Sequence, residues 1–187
     1  MRKHFAALSL AALATFAGAA QAAGTNVSAG LASSAYTQSN AWSGFDAQSM
    51  FNGGKWNAGD NGVQWVQIDL QGVKQITGLS FTTEQLPDGL FSQDIYFSNS
   101  AIGADYSSLT PALSHSAFTT TGTTITFDFA ATGARYIEIV ANNATPSWVS
   151  LKDATVLAAV PEPETYAMMA AGLGLLGFVG RRRRRKA

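Results

Sequence analysis

Hydrophobic and polar positions alternate along much of this chain with the period of a β-strand. In QWVQIDLQGVKQITGLSF (64–81), Val66, Ile68 and Leu70 alternate with Trp65, Gln67 and Asp69. A period of two puts the aliphatic trio on one face of a strand. Gly72 supplies a turn, and Ile76, Leu79 and Phe81 resume the apolar supply, so the pattern predicts two antiparallel strands feeding one buried face. Further strands are expected over 94–98, 116–119, 123–129, 135–141 and 150–157, with Gly122 and Gly133 between three of them. No stretch inside 23–158 carries a persuasive helical period. Seven or so short strands separated by turn residues predict an all-β fold, an antiparallel β-sandwich or jelly roll. Ahead of them, 24–62 is rich in Ser, Asn, Gly and Gln yet carries Tyr36, Trp42, Phe45, Phe51 and Trp56. It is expected to form a long loop with one short strand, wrapped over one end of the sandwich so that its rings find a surface.

Both flanks break this pattern. Arg2 and Lys3 precede an apolar run over 5–20 that leads into Ala20-Gln21-Ala22, the layout of a secretory signal peptide cleaved after Ala22. Near the other end, Pro161-Glu162-Pro163 stays extended because each proline fixes φ and disfavours helix in the residue before it. That leaves backbone a protease can grip. An apolar Gly/Ala-rich run over 166–180 follows, then Arg181, Arg182, Arg183, Arg184, Arg185 and Lys186, which would stop transfer and stay cytoplasmic. The expected organisation is a signal helix in 1–22, a folded domain over 23–158, and a sorting or anchor segment with a transmembrane helix over 159–187. A permanent anchor is the competing reading of the tail. A nucleic-acid-binding tail is disfavoured, because the adjoining apolar run would be left in water.

Charge sharpens the division. The 187 residues are formally neutral, but within 23–158 only Lys55, Lys74, Arg135 and Lys152 oppose ten carboxylates, a net −6. An acidic body lacks the clustered cations that displace counterions from a phosphate backbone, which argues against a nucleic-acid partner. The chain has no cysteine, which excludes a disulfide framework, a thiolate metal site and a cysteine nucleophile.

Trp56, QWVQIDL, ITGLSF, IYFSNS, ARYIEI and a closing SLKDATVLA together resemble the discoidin, or coagulation-factor type C, family over nearly all of 31–158. The resemblance implies a galactose-binding-like β-sandwich that binds glycans, lipids or proteins with the loops at one end. This chain departs from the family pattern at Asn52-Gly53, where Asp-Gly is common, at Gln71 before the expected glycine, and in lacking the bracketing cysteines. The tail resembles the PEP-CTERM sorting signal of exopolysaccharide-producing Gram-negative bacteria. That implies an exosortase-type membrane peptidase as partner, export by the Sec machinery with signal peptidase, transient inner-membrane anchoring, and release to the cell surface or matrix.

Chemistry in the body is sparse. His115 is the one histidine there, expected in an exposed loop, and no G-x-S-x-G elbow accompanies it. One histidine does not make a transition-metal site. Glu84, Asp88 and Asp94 flank a turn and are expected as solvated loop acids rather than a glycosidase pair. Calcium is a minor candidate ligand, with Asn52, Asp60 and carbonyls of NGGKWNAGDNG as oxygen donors, though the spacing is not that of an EF-hand. Ligand binding is the preferred function. The candidate residues are Trp42, Asp60, Asn61, Phe91, Asn142, Asn143 and Trp148, because an aromatic face stacks on a sugar ring while amides and carboxylates meet its hydroxyls. Trp56 and Trp65 fall at family core positions and are expected to pack. The sequence thus points to an exported, non-catalytic, carbohydrate-binding surface or matrix protein without a required cofactor. A purely structural matrix protein and a small secreted hydrolase are the rivals.

Overall fold

The computed structural model describes residues 24–144, 147–160 and 168–174. Its body is an all-β antiparallel network: β1 Thr25–Asn26, β2 Tyr36–Gln38, β3 Lys55–Asn57, β4 Val63–Thr83, β5 Gly89–Ser98, β6 Leu113–Thr119, β7 Thr124–Asn143 and β8 Ser150–Ala158, with one short helix, α1, at Ala47–Phe51. The hydrogen-bonded order is β1-β8-β4-β7-β5-β6, with β2 also on β4 and β3 also on β8.

Two long strands, β4 and β7, run through both layers of the sandwich. Residues 63–69 of β4 lie between β2 and the C-terminal half of β7, which continues to β5 and β6. Residues 76–83 of β4 lie between β8 and the N-terminal half of β7. The expected hairpin around Gly72 is therefore one bent strand. Its register shifts between Asp69 and Lys74, and Gln71 sits at φ 61°. A bulge bends a strand without reversing it, and glycine marks either event equally well. The expected break at Gly133 is likewise absent: 124–129 and 135–141 both belong to β7.

An ion pair occupies this corner. Arg135 donates from Nε and Nη2 to the two Asp69 oxygens, both at 2.8 Å, and the Gln71 N–H donates to Asp69 Oδ1 at 2.8 Å. The Arg135 hydrogen bond holds the Asp69 carboxyl below its ordinary value, against the opposing effect of burial. A carboxyl depressed in the folded state contributes stability above its unfolded pKa and loses it as the pH falls. Acidification should therefore lower the melting temperature of the native chain more than that of Asp69→Asn, measured by circular dichroism.

The core follows the alternation. Val66, Ile68 and Leu70 face inward with Ile137, Ile139, Val156, Phe81 and Trp56, all at most 2 % exposed. Trp56 packs as expected, and Trp65 lies half-buried on the other face of the sheet with Tyr96, Ile102, Tyr106 and Val140. Within 24–62 the structure holds more order than a loop with one strand: β1, β2, β3 and α1 all form there. Asp46 caps α1 by accepting from the Ser49 N–H at 2.8 Å, and Met50 and Phe51 bury its inner face. Five residues are too few to display a helical period in the sequence.

The expected signal helix over 1–22 lies outside the described residues, as do Pro161, Glu162, Pro163 and Arg181 to Arg185. Residues 168–174 are helical, and among the described residues no helix is long and apolar enough to cross a membrane.

Candidate functional site

At the end of the sandwich where β3 finishes and β8 begins, local backbone chemistry builds an aromatic platform. Asn57 pairs with Ser150, and the Ala58 N–H donates to Val149 O at 2.9 Å. The chain before β3 folds back on it: the Trp42 N–H donates to Asn57 O at 2.8 Å and the Asn57 N–H to Phe45 O at 3.0 Å. Between Trp42 and Phe45 the chain reverses through Ser43 at φ 52° and Gly44 at φ 81°, the left-handed pair that tight hairpins require. Trp56 anchors this loop from below by donating its indole N–H to Asn40 O at 2.8 Å.

Trp42 and Trp148, remote in sequence, come into contact here. Their ring centroids are 5.4 Å apart at 41°, and Trp42 stacks on Phe45 at 5.8 Å and 28°. Both tryptophans stay about half exposed, at 47 % and 46 %. Exposed rings of that size on a fixed backbone suit a ligand with an apolar face. Lys55 Nζ lies 4.5 Å from the Phe45 ring centroid, and Lys55 and Lys152, opposite one another on β3 and β8, share Glu84 at 3.3 and 3.5 Å. Lys55, Glu84 and Lys152 line an open cleft of about 260 Å³.

Gly59 sets the position of Trp42. It adopts φ +68°, and a Cβ there would come within 2.7 Å of the Trp42 Cβ. Gly59→Ala should therefore displace Trp42, cost about 1–2 kcal/mol for the left-handed backbone, and blue- or red-shift the tryptophan emission as Trp42 leaves its neighbours. An unchanged emission spectrum would show that the loop tolerates the methyl.

The other candidate residues divide. Asp60 and Asn61 are exposed in the loop after β3, and the Val149 N–H donates to Asp60 O at 3.2 Å, which ties that loop to Trp148. Asn142 is exposed at the end of β7, opposite Val63. Asn143 is buried, and its Nδ2 donates to Ser147 O at 3.4 Å, so it props the loop that carries Trp148. Phe91 is a correction. It is fully buried in the core, because β5 turns Phe91, Gln93 and Ile95 inward and leaves Leu90 outside, so it offers no ring face to a ligand. Phe45 and Lys55 complete the platform but were not among the candidates; the W-S-G-F hairpin signal could have found Phe45.

The remaining polar candidates are engaged elsewhere. His115 is not in a loop but half-buried on β6, with Nδ1 2.8 Å from Gln93 Oε1. Glu84 holds the two lysines, Asp88 accepts from the Thr121 N–H at 3.0 Å, and Asp94 accepts from Ser114 Oγ at 2.6 Å. These acids do not converge. Asn52 Oδ1 accepts from the Gly30 N–H at 2.8 Å, and its Nδ2 donates to Gln48 O at 2.8 Å. Both ends of its amide are thus used within the fold. A larger cleft of about 400 Å³ runs between α1 and β8 past Asn26, Asn52 and Asp153. Its amides are also spoken for, since Asn26 Oδ1 accepts from Ser28 at 2.8 and 2.9 Å.

Comparisons agree with this fold. The model of the F5/8 type C domain matches residues 31–153, and that of the PEP-CTERM protein-sorting motif matches residues 159–185. Among solved structures, a selenomethionine-labelled point mutant of chitosan-binding module 1, from a chitosanase/glucanase of Paenibacillus sp. IK-5, superposes with a TM-score of 0.52 at 23 % identity. The match covers 72 % of this chain and 99 % of that one. A fucose binding module of Streptococcus pneumoniae gives 0.52 at 13 % identity over 71 % and 96 %. The family 32 CBM from C. perfringens NanJ, in complex with galactose, gives 0.54 at 14 % over 65 % and 91 %. Such identities establish a shared fold. A comparison with curated proteins finds no match. With the domain model spanning most of the chain and the sorting motif following five residues after it, this protein belongs to the F5/8 type C, or discoidin-like, domain family and carries a PEP-CTERM sorting tail.

Proposed function

We propose that the protein is an exported, non-catalytic carbohydrate-binding module that engages extracellular polysaccharide through the Trp42–Trp148 platform. The observation that supports this best is the pair of half-exposed tryptophans in tilted contact at one end of a fold shared with carbohydrate-binding modules. Rings held this way stack on the apolar face of a pyranose, while the exposed Asp60 and Asn61, in the loop tied to Val149 beside Trp148, supply polar groups for its hydroxyls, and the exposed Asn142 at the end of β7 is a further candidate. The sorting motif supports the route: an exosortase-type peptidase removes the tail after export by the Sec machinery and signal peptidase, following transient anchoring in the inner membrane.

Two measurements test this function. Pull-down on the source organism's own exopolysaccharide should retain the native chain, and loss of retention on competition with soluble polysaccharide should follow. Mass spectrometry of the culture medium should find a mature protein ending near Pro163. Failure to bind polysaccharide removes the ligand assignment, and an intact tail held in the membrane fraction removes the processing step.

A further inference from the structure

The two ends of the sandwich carry different assignments, and β8 measures the distance between them. Its first residue, Ser150, lies beside Val149 and Trp148 at the platform; its last, Ala158, pairs with Thr25 of β1 at the opposite end. Nine residues at the usual strand rise span about 30 Å. The sorting motif begins at Ala159, with no spacer. The Ala159 N–H donates to Gln75 O at 2.8 Å, so the first residue of the motif is pinned to the body. From there, nine residue steps reach Met168, about 30 Å when fully extended. The helical stretch at 168–174 exposes Met168, Met169 and Leu173 by 60 % or more, side chains that favour an apolar surrounding over water.

We propose that while the tail is still attached, the body stands upright on a lipid surface. The end bearing Ala158 and Thr25 faces the bilayer, and the Trp42–Trp148 platform points away from it. The inference rests on the tail acting as a tether. Its geometry then follows from the short connection. Bringing the platform down to the membrane would require the nine steps to run fully extended back along the whole flank of the body, with none left to enter the lipid. A tethered molecule therefore presents its ligand face outward, so that polysaccharide capture and membrane attachment are compatible in the same chain.

The chain's lack of cysteine allows single-site labelling. Thr25→Cys and Ser43→Cys proteins beginning at Ala23 and keeping the whole tail, each carrying a donor dye, would be reconstituted into vesicles of phosphatidylethanolamine and phosphatidylglycerol containing a headgroup-labelled acceptor lipid. Thr25 and Ser43 are both exposed, Ser43 beside Trp42. The expected result is energy transfer several-fold stronger from position 25 than from position 43, with and without polysaccharide. Equal transfer from both sites, or stronger transfer from 43, overturns the orientation while leaving the tether intact. Absence of transfer from either site, with the protein recovered free of the vesicles, overturns the tether itself. Neither result depends on whether the platform binds a sugar.

Discussion

Replacing Glu138 by glutamine should stabilise the protein at neutral pH by a few kcal/mol and abolish a loss of stability expected of the native chain as the pH rises from about 4.5 to about 8. Glu138 projects from β7 onto the outer face of the sheet, between Gln67 of β4 and Tyr96 of β5, its cross-strand neighbours. The segment carrying Ile102 and the 3-10 turn Gly103–Ser108 covers that face, pinned by the Ile102 N–H donating to Gln67 Oε1 at 2.6 Å. Beneath this cover Glu138 is fully buried, and among the described residues neither carboxyl oxygen has a hydrogen-bond partner. The titratable groups around it are Tyr96, Tyr106 and Asp94, none of them a cation at neutral pH. Burial disfavours the charged form and pushes the carboxyl up to about 8, a rise the nearby Gly103 N–H only partly offsets.

The sign of the pH dependence follows. Below about 4.5, the ordinary value, folded and unfolded states are both protonated at this position and the contribution is complete. Between about 4.5 and about 8 the unfolded chain is ionised while the folded one keeps its proton, so stability falls as the pH rises, by about 1.4 kcal/mol per unit. Above that window the loss levels off. Glutamine stays neutral in both states, so the difference between the two denaturation curves isolates Glu138 from every other group. Parallel curves for the native chain and Glu138→Gln from acid to alkaline pH would show that the carboxyl is solvated or paired.

The second large effect concerns binding. Trp148→Ala should weaken polysaccharide binding by about tenfold or more, equivalent to roughly 1.4 kcal/mol, and Trp42→Ala should do at least as much. Trp42 also orders its neighbours, stacking on Phe45 and contacting Trp148. Both side chains are half exposed, so truncation removes little core, and the melting temperature should fall far less than for Trp56→Ala, which empties a fully buried site. Isothermal titration with an oligosaccharide of the host polymer separates the effects. Unchanged affinity in both variants would place the ligand elsewhere on the body.

Much of the fold was legible in the sequence because alternation and burial are coupled. Val66, Ile68 and Leu70 face the core as their period of two demands. What escaped was continuity. Gly72 and Gly133 punctuate the sequence as turns, yet β4 and β7 pass through both, because each half of those strands finds a different partner across the bend. The platform was legible only as a set of residue types. Nothing local signals that Trp42 meets Trp148, since their contact is made by β3 pairing with β8 and by Gly59 yielding space. Phe91 failed as a candidate for a related reason. Leu90 and Phe91 are adjacent apolar residues, and the strand's period alone does not say which of them faces inward.

The most direct test of the platform is a backbone and indole NMR titration of the isotopically labelled protein with oligosaccharides from the source organism's exopolysaccharide. Binding at this end predicts saturable shifts concentrated on the Trp42 and Trp148 indoles and the amides of Gly59, Asp60 and Asn61, with the Glu138 side of the sheet silent. Saturable shifts clustered away from the two tryptophans, or no shifts at saturating oligosaccharide, would contradict it.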